Sequence, residues 1–111
     1  MRDRYLRIIN FFGVRNQMKK LNEECYELIE AIDDYEDYMS FGDGCNKDKI
    51  NSSMETMFRN DIIEEMADLL TLCTQFVYKY DIKQEEIDSV MDFKLMRTED
   101  RIEDGYYEEE K

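Results

Sequence analysis

Two short runs place acids where chemistry can be done: Glu24-Cys25-Tyr26-Glu27 and Glu65-Met66-Ala67-Asp68. Residues three apart on a helix project from nearly the same side, so each run presents two carboxylates in one direction. If the two helices pack antiparallel, the pairs meet, and four uncompensated carboxylates in a core repel too strongly to persist. A positive partner is required. A hard divalent cation, Mg²⁺ or Mn²⁺, suits an all-oxygen donor set presented by facing helices. The ordinary alternative is four solvated surface acids. It fits Glu24 and Glu27, but it fits Asp68 badly, because Asp68 lies between Ala67 and Leu69 in the most apolar stretch of the chain.

A second pattern is basic. The stripe Ile87, Val90, Met91 continues at the same helical spacing into Lys94, Arg97 and Arg101, so an apolar face turns cationic. Such a face suits either salt bridges to the acids or a clamp on phosphate oxygens. There is no histidine, so any catalysis must use carboxylates, hydroxyls, Lys, Arg or a metal ion.

The elements that must position these groups read as helices. The 111 residues include no proline and only four glycines, with few β-branched runs, which points to an all-α fold. A short helix is predicted over Asp3 to Phe12, ended by Gly13. A second runs from about Asn16 to Tyr38, with Leu21, Cys25, Leu28, Ile29, Ile32 and Tyr35 recurring at three- and four-residue steps. Residues 39–52 read as a loop around Gly42-Asp43-Gly44. A third helix is expected from about Ser53 to Tyr80, with Ser52 and Glu55 as a capping box, although Asn60 before Asp61 could equally begin its strongly periodic part. Its apolar residues occupy nearly every direction, so it should be buried on most sides. Asp81 with Gln84 is a second possible capping box, opening a fourth helix that runs to about Glu103. Residues 104–111 read as a frayed acidic tail. The expected architecture is an antiparallel bundle of three longer helices and a short N-terminal one, in a single domain spanning 1–111.

Composition narrows the partners. With 28 acidic against 15 basic residues the net charge is −13, which argues against nucleic acid but not against a nucleotide, since metal ions can invert the local sign. No apolar run is long enough to span a bilayer, and Met1 to Gly13 lacks the pattern of a signal peptide, so no membrane is expected as a partner and cytoplasm is the expected compartment. Cys25, Cys45 and Cys73 suggest neither a disulfide framework nor a zinc site, and Cys25 and Cys73 read as core thiols.

These residues resemble the MazG-like, all-α nucleoside triphosphate pyrophosphohydrolases. That family carries ExxE on one helix and ExxD on the next, here Glu24 to Glu27 and Glu65 to Asp68, and "QMKKLNEECYELIEAI", "EEMADLLTL" and "FKLMRTEDRI" are similar to its successive helices. The likeness runs from about Ile8 to Ile102. The chain departs from the family pattern in a longer segment between Glu27 and Glu65, and in Met96, where many members carry a polar residue.

The resemblance implies that Glu24, Glu27, Glu65 and Asp68 hold Mg²⁺, with Mn²⁺ as a substitute. It implies hydrolysis of a nucleoside triphosphate to the monophosphate and pyrophosphate. Glu23, beside the motif, and Glu24 are the candidates to orient or deprotonate the attacking water. Lys20, Lys94, Arg97 and Arg101 are the candidates to hold the β and γ phosphates. Tyr26, Phe11, Phe12 or Asn16 can stack on or hydrogen-bond a base.

The rival reading is a non-catalytic acidic helical module that binds a partner. A calcium EF-hand fits poorly, because no DxDxDG with a glutamate at the twelfth position can be aligned in residues 41–55. An all-round apolar third helix needs more cover than one chain supplies, so a homodimer or homotetramer is expected, with Leu69, Leu72, Phe76 and Tyr80 as candidates for a shared core.

Overall fold

A computed structural model describes residues 1–45 and 52–107, and among these every regular element is an α-helix. They are α1 (Arg2–Phe12), α2 (Val14–Cys45), α3 (Ser52–Lys79) and α4 (Gln84–Glu103). None is long and apolar enough to cross a membrane among the described residues. The chain forms two compact units, Met1–Lys79 and Tyr80–Lys111.

In the first unit Gly13 sets the geometry. Its φ of 90° and ψ of 150° lie where side-chain-bearing residues are strained, and its N–H closes α1 onto Ile9 O at 2.8 Å. The chain turns there and re-enters a helix at once, so α1 packs on both α2 and α3. Tyr5 stacks at a tilt on Tyr78 with ring centroids 5.6 Å apart, and Lys79 Nζ donates to Asn10 Oδ1 at 2.7 Å. The long seam is α2 against α3. Bonds from Gln17 to Gln75 near one end and from Tyr35 to Glu55 towards the other fix these helices as antiparallel. Tyr38 and Phe58 continue the seam, with ring centroids 5.1 Å apart.

Among the described residues the buried apolar ones are Ile9, Leu72 and Ala31, and three polar ones are buried as well, Gln17, Glu24 and Gln75. Burying so many polar groups in so small a core costs folding energy, which directs attention to what they do.

Several expectations change. The second helix does not stop at Tyr38: α2 continues through Gly42 and Gly44 to Cys45. A helix-interior glycine costs about 1 kcal/mol, which weakens a helix without forbidding it. The rest of the expected loop, 46–51, lies outside the described residues. α3 begins at Ser52, one residue earlier than expected, with Glu55 in its first turn.

α3 is not buried on most sides within the chain. Ile63, Met66 and Leu70 are exposed, because α1 and α2 cover only part of its circumference. Leu72 is already covered inside the chain, while Tyr80 is exposed and Leu69 and Phe76 are half-buried. The cysteines differ as well: Cys25 and Cys73 are both free and exposed rather than core thiols.

In the second unit Asp81 takes a positive φ of 53° instead of capping α4. The cap falls two residues later, where the Lys83 backbone N–H donates to Glu86 Oε2 at 2.9 Å. α4 ends in a glycine turn: Gly105 has φ 75°, Tyr106 N–H reaches Arg101 O at 2.9 Å and Gly105 N–H reaches Ile102 O at 3.2 Å. The first residues of the expected frayed tail are therefore ordered, and 108–111 lie outside the described residues. No side chain of α4 is buried, and Val90, Met91, Phe93, Leu95 and Met96 are exposed.

Candidate metal and phosphate site

The antiparallel register of α2 and α3 that joins Gln17 to Gln75 also sets Glu24 opposite Asp68 and Glu27 opposite Glu65. The two acidic runs thus face each other, as antiparallel packing requires. One carboxylate oxygen each from Glu24, Glu27 and Glu65 lies within 4.8 Å of the others, a grouping that can hold a metal ion. Glu24 is buried, Glu65 half-buried and Glu27 exposed. Asp68 is exposed and outside that trio, against the expectation of a buried acid. It lines the adjoining pocket with Glu24, and its charge acts on Glu65.

The electrostatics record the crowding. The Glu65 carboxyl is pushed up from 4.5 to about 7, first by burial, then by its hydrogen bond to Glu27 and the charges of Glu27, Glu24 and Asp68. Glu24 Oε1 pairs with Lys20 Nζ at 3.2 Å, and this bond raises the lysine above its ordinary value. The other oxygens are unsatisfied: Glu24 Oε2 and Glu65 Oε2 are enclosed and accept no hydrogen bond. Enclosed acceptors without donors are costly in a protein and are what a cation would satisfy. The all-oxygen donor set suits Mg²⁺ or Mn²⁺.

Beside the acids opens a pocket of about 640 Å³. At one end it is lined by Lys19, Lys20, Glu23, Glu24 and Asp68, and farther along by Ile8, Phe12, Asn16, Gln17, Thr71, Leu72 and Gln75. Glu23 is exposed on this pocket, so it can meet water there. Of the expected base-contacting residues, Phe12 and Asn16 line it, with Asn16 Nδ2 bonded to Phe12 O at 2.7 Å. Tyr26 and Phe11 do not line it, and both are exposed.

Gln17, Gln75, Thr71 and Ile8 line the pocket without having been marked as site candidates by the sequence, and Leu72, expected in a shared core, lines it as well. The available signal was a polar residue breaking an apolar stripe, since Asp68, Leu72 and Gln75 follow one another on one face of α3.

Lys94, Arg97 and Arg101 belong to the second unit. Lys94 and Arg97 are exposed; the Arg97 guanidinium lies 5.9 Å from the Phe93 ring centroid, and that of Arg101 lies 5.0 Å from that of Tyr106. Lys94 also borders a groove of about 430 Å³ with Ile82, Glu86, Ile87, Val90 and Met91.

Compared with known families, residues 12–97 match the model of the MazG nucleotide pyrophosphohydrolase domain. The chain belongs to the MazG family. The match takes in Lys20, both acidic runs, Lys94 and Arg97, and stops short of Arg101. MazG domains are all-α, as is this chain, and the family uses divalent metal and nucleotide substrates. No curated protein and no solved structure matches the chain.

Proposed function

We propose that this MazG protein is a Mg²⁺-dependent nucleoside triphosphate pyrophosphohydrolase, cleaving between the α and β phosphates to give a monophosphate and pyrophosphate. The observation that carries the reading is the trio of Glu24, Glu27 and Glu65 with two enclosed, unpartnered oxygens, on two helices that fall within the family match. Glu24, Glu27 and Glu65 would hold the ion, with Asp68 completing the set from the pocket side. A bound Mg²⁺, or Mn²⁺ in its place, would neutralise phosphate charge and lower the pKa of a water.

The chain's own groups supply the rest. Lys20 is held at the acids by Glu24 and can turn to a phosphate oxygen, and Lys19 lines the same end of the pocket. Glu23 is the exposed carboxylate that orients or deprotonates the attacking water, with Glu24 as its neighbour on the ion side. Lys94, Arg97 and Arg101 are assigned to the β and γ phosphates on the strength of the family pattern.

The remaining assignments follow from surface and charge. Exposed Ile63, Met66 and Leu70 on α3 support a homodimer or homotetramer. The net charge of −13 supports a nucleotide rather than nucleic acid as substrate, and the free thiols of Cys25 and Cys73 suit the reducing cytoplasm. The test is pyrophosphate release across the common NTPs and dNTPs, with and without Mg²⁺. Metal-dependent release from at least one supports the proposal, and no release from any leaves an acidic helical module that binds a partner.

A further inference from the structure

The pocket contains a feature that binding of metal and phosphate does not need. Gln17 and Gln75 line it while only 6% and 3% exposed, and Gln17 Nε2 donates to Gln75 Oε1 at 2.8 Å. An amide offers two donor hydrogens and one carbonyl acceptor, so this bond leaves the Gln17 carbonyl and the Gln75 NH₂ available. The enclosed side-chain oxygens and nitrogens without partners, among the described residues, are those of Glu24 and Glu65. The free halves of the two amides are not among them, and both residues line the pocket.

Position defines what they can reach. Gln17 precedes Glu24 by seven residues on α2, and Gln75 follows Asp68 by seven on α3, which is about 10 Å along the groove at the helical rise. That is comparable to the reach from a nucleotide's α-phosphate to the hydrogen-bonding edge of its base. Between the two ends the walls are Ile8, Leu72 and Phe12, and the half-exposed Phe12 ring offers a face for stacking.

We infer that Gln17 and Gln75 together read the edge of a nucleotide base and accept amino-type and keto-type bases alike. The inference rests on the hydrolase reading above. In the orientation described, Gln17 presents an acceptor and Gln75 a donor, which matches the amino group and bare ring nitrogen of cytosine or adenine. If both amides turn over together, their mutual bond is kept with its direction reversed. Gln17 then presents a donor and Gln75 an acceptor, matching the carbonyl and ring N–H of uracil, thymine or hypoxanthine. An amide's oxygen and nitrogen ends are nearly the same size, and among the described residues no second hydrogen bond pins either side chain. A site with fixed hydrogen-bond groups rejects a mismatched substrate by about 10⁴-fold, and this pair removes that penalty.

The test compares kcat/KM for CTP against UTP and for ATP against ITP with Mg²⁺, since each pair differs only in exchanging amino for keto at one edge. Ratios within about tenfold in each pair turned over are expected, and a ratio beyond about a hundredfold overturns the inference. Gln75→Leu should raise KM about tenfold or more for both members while leaving kcat within about threefold, and ribose 5′-triphosphate, which has no base, should be unaffected. Gln75→Asn, which keeps a polar group but shortens its reach, gives the same readout if the leucine variant does not fold. Equal losses for ribose 5′-triphosphate and the nucleotides would mark the amides as structural and overturn the inference.

If no triphosphate is hydrolysed, the hydrolase reading fails, and calorimetric titration of CMP and UMP decides the reader separately. Similar affinity for both, lost in Gln75→Asn, supports it. Absent or one-sided binding overturns it.

Discussion

Glu65 on α3 and Glu27 on α2 bring a carboxylate oxygen each within 4.8 Å across the seam between their helices, and burial together with the facing Glu27 pushes the Glu65 carboxyl up to about 7. Carboxyls set this close repel when all are ionised, which favours the protonated form of the more buried one. The sign follows. A carboxyl whose value rises from 4.5 to about 7 on folding adds stability that is full below 4.5 and lost as pH rises through 7. The melting temperature of protein in chelator should fall between pH 5.5 and pH 8. Glu65→Gln should flatten that dependence, and Mg²⁺ at pH 8 should restore stability to the unmutated protein. Thermal melts across this range check it, and a melting temperature that climbs with pH in chelator would contradict it.

Asp68 is exposed on the pocket and contributes to the charge that burdens Glu65. Asp68→Asn should cost pyrophosphate release about a hundredfold or more, while the metal-free melting temperature stays level or rises because a repelling charge is gone. Parallel activity assays and melts distinguish this from misfolding. A folded variant with full activity would remove Asp68 from the site.

Arg101 and Arg97 of α4 differ in what holds them, so their loss should read out differently. Arg101 covers the Tyr106 ring at the glycine turn that ends the helix, so Arg101→Ala should loosen this terminus, at a cost of about 0.5–1 kcal/mol. Arg97 is exposed with only a long contact to Phe93, so Arg97→Ala should raise the triphosphate KM and leave the melting temperature nearly unchanged. The reverse pattern, with stability lost at Arg97 and activity per folded molecule retained, would make Arg97 structural.

Gly13 holds the corner between Phe12 and the start of α2, and its φ of 90° with ψ of 150° is accessible at low cost only to glycine. A methyl group there meets nothing within 4 Å, so the penalty of Gly13→Ala is conformational. Denaturant unfolding should show a loss of about 1–3 kcal/mol. Nucleotide KM should also rise, because Phe12, Asn16 and Gln17 flank the corner and line the pocket.

Much of this was legible in the sequence because the signals were local. Gly13 announced the end of α1, the apolar periodicity gave α2 and α3, and the three-residue spacing of Glu24 with Glu27 and of Glu65 with Asp68 set each pair on one face. What was not legible depended on neighbours distant in sequence. Gly42 and Gly44 look like breakers, yet glycine only taxes a helix, and α2 carries on to Cys45. Asp68, read as buried from its apolar flanks, faces a pocket that no local pattern could reveal. Gln17 and Gln75 are separated by 58 residues, and their pairing follows from the antiparallel register rather than from either helix alone. The apolar residues of α3 lie all round its axis, but within Met1–Lys79 α1 and α2 cover only part of it.

The exposed Ile63, Met66 and Leu70 make assembly the next expectation. Light scattering at micromolar concentration should give at least twice the 13.5 kDa of one chain. A stable, active monomer would show that these side chains need no partner.

The most direct measurement follows the products of a nucleoside triphosphate by ³¹P NMR, with Mg²⁺ present and then with excess chelator. The account expects pyrophosphate and nucleoside monophosphate in equal amounts, formed only with the metal and lost in Asp68→Asn. Nucleoside diphosphate and orthophosphate as the products, or equal turnover in chelator, would contradict it.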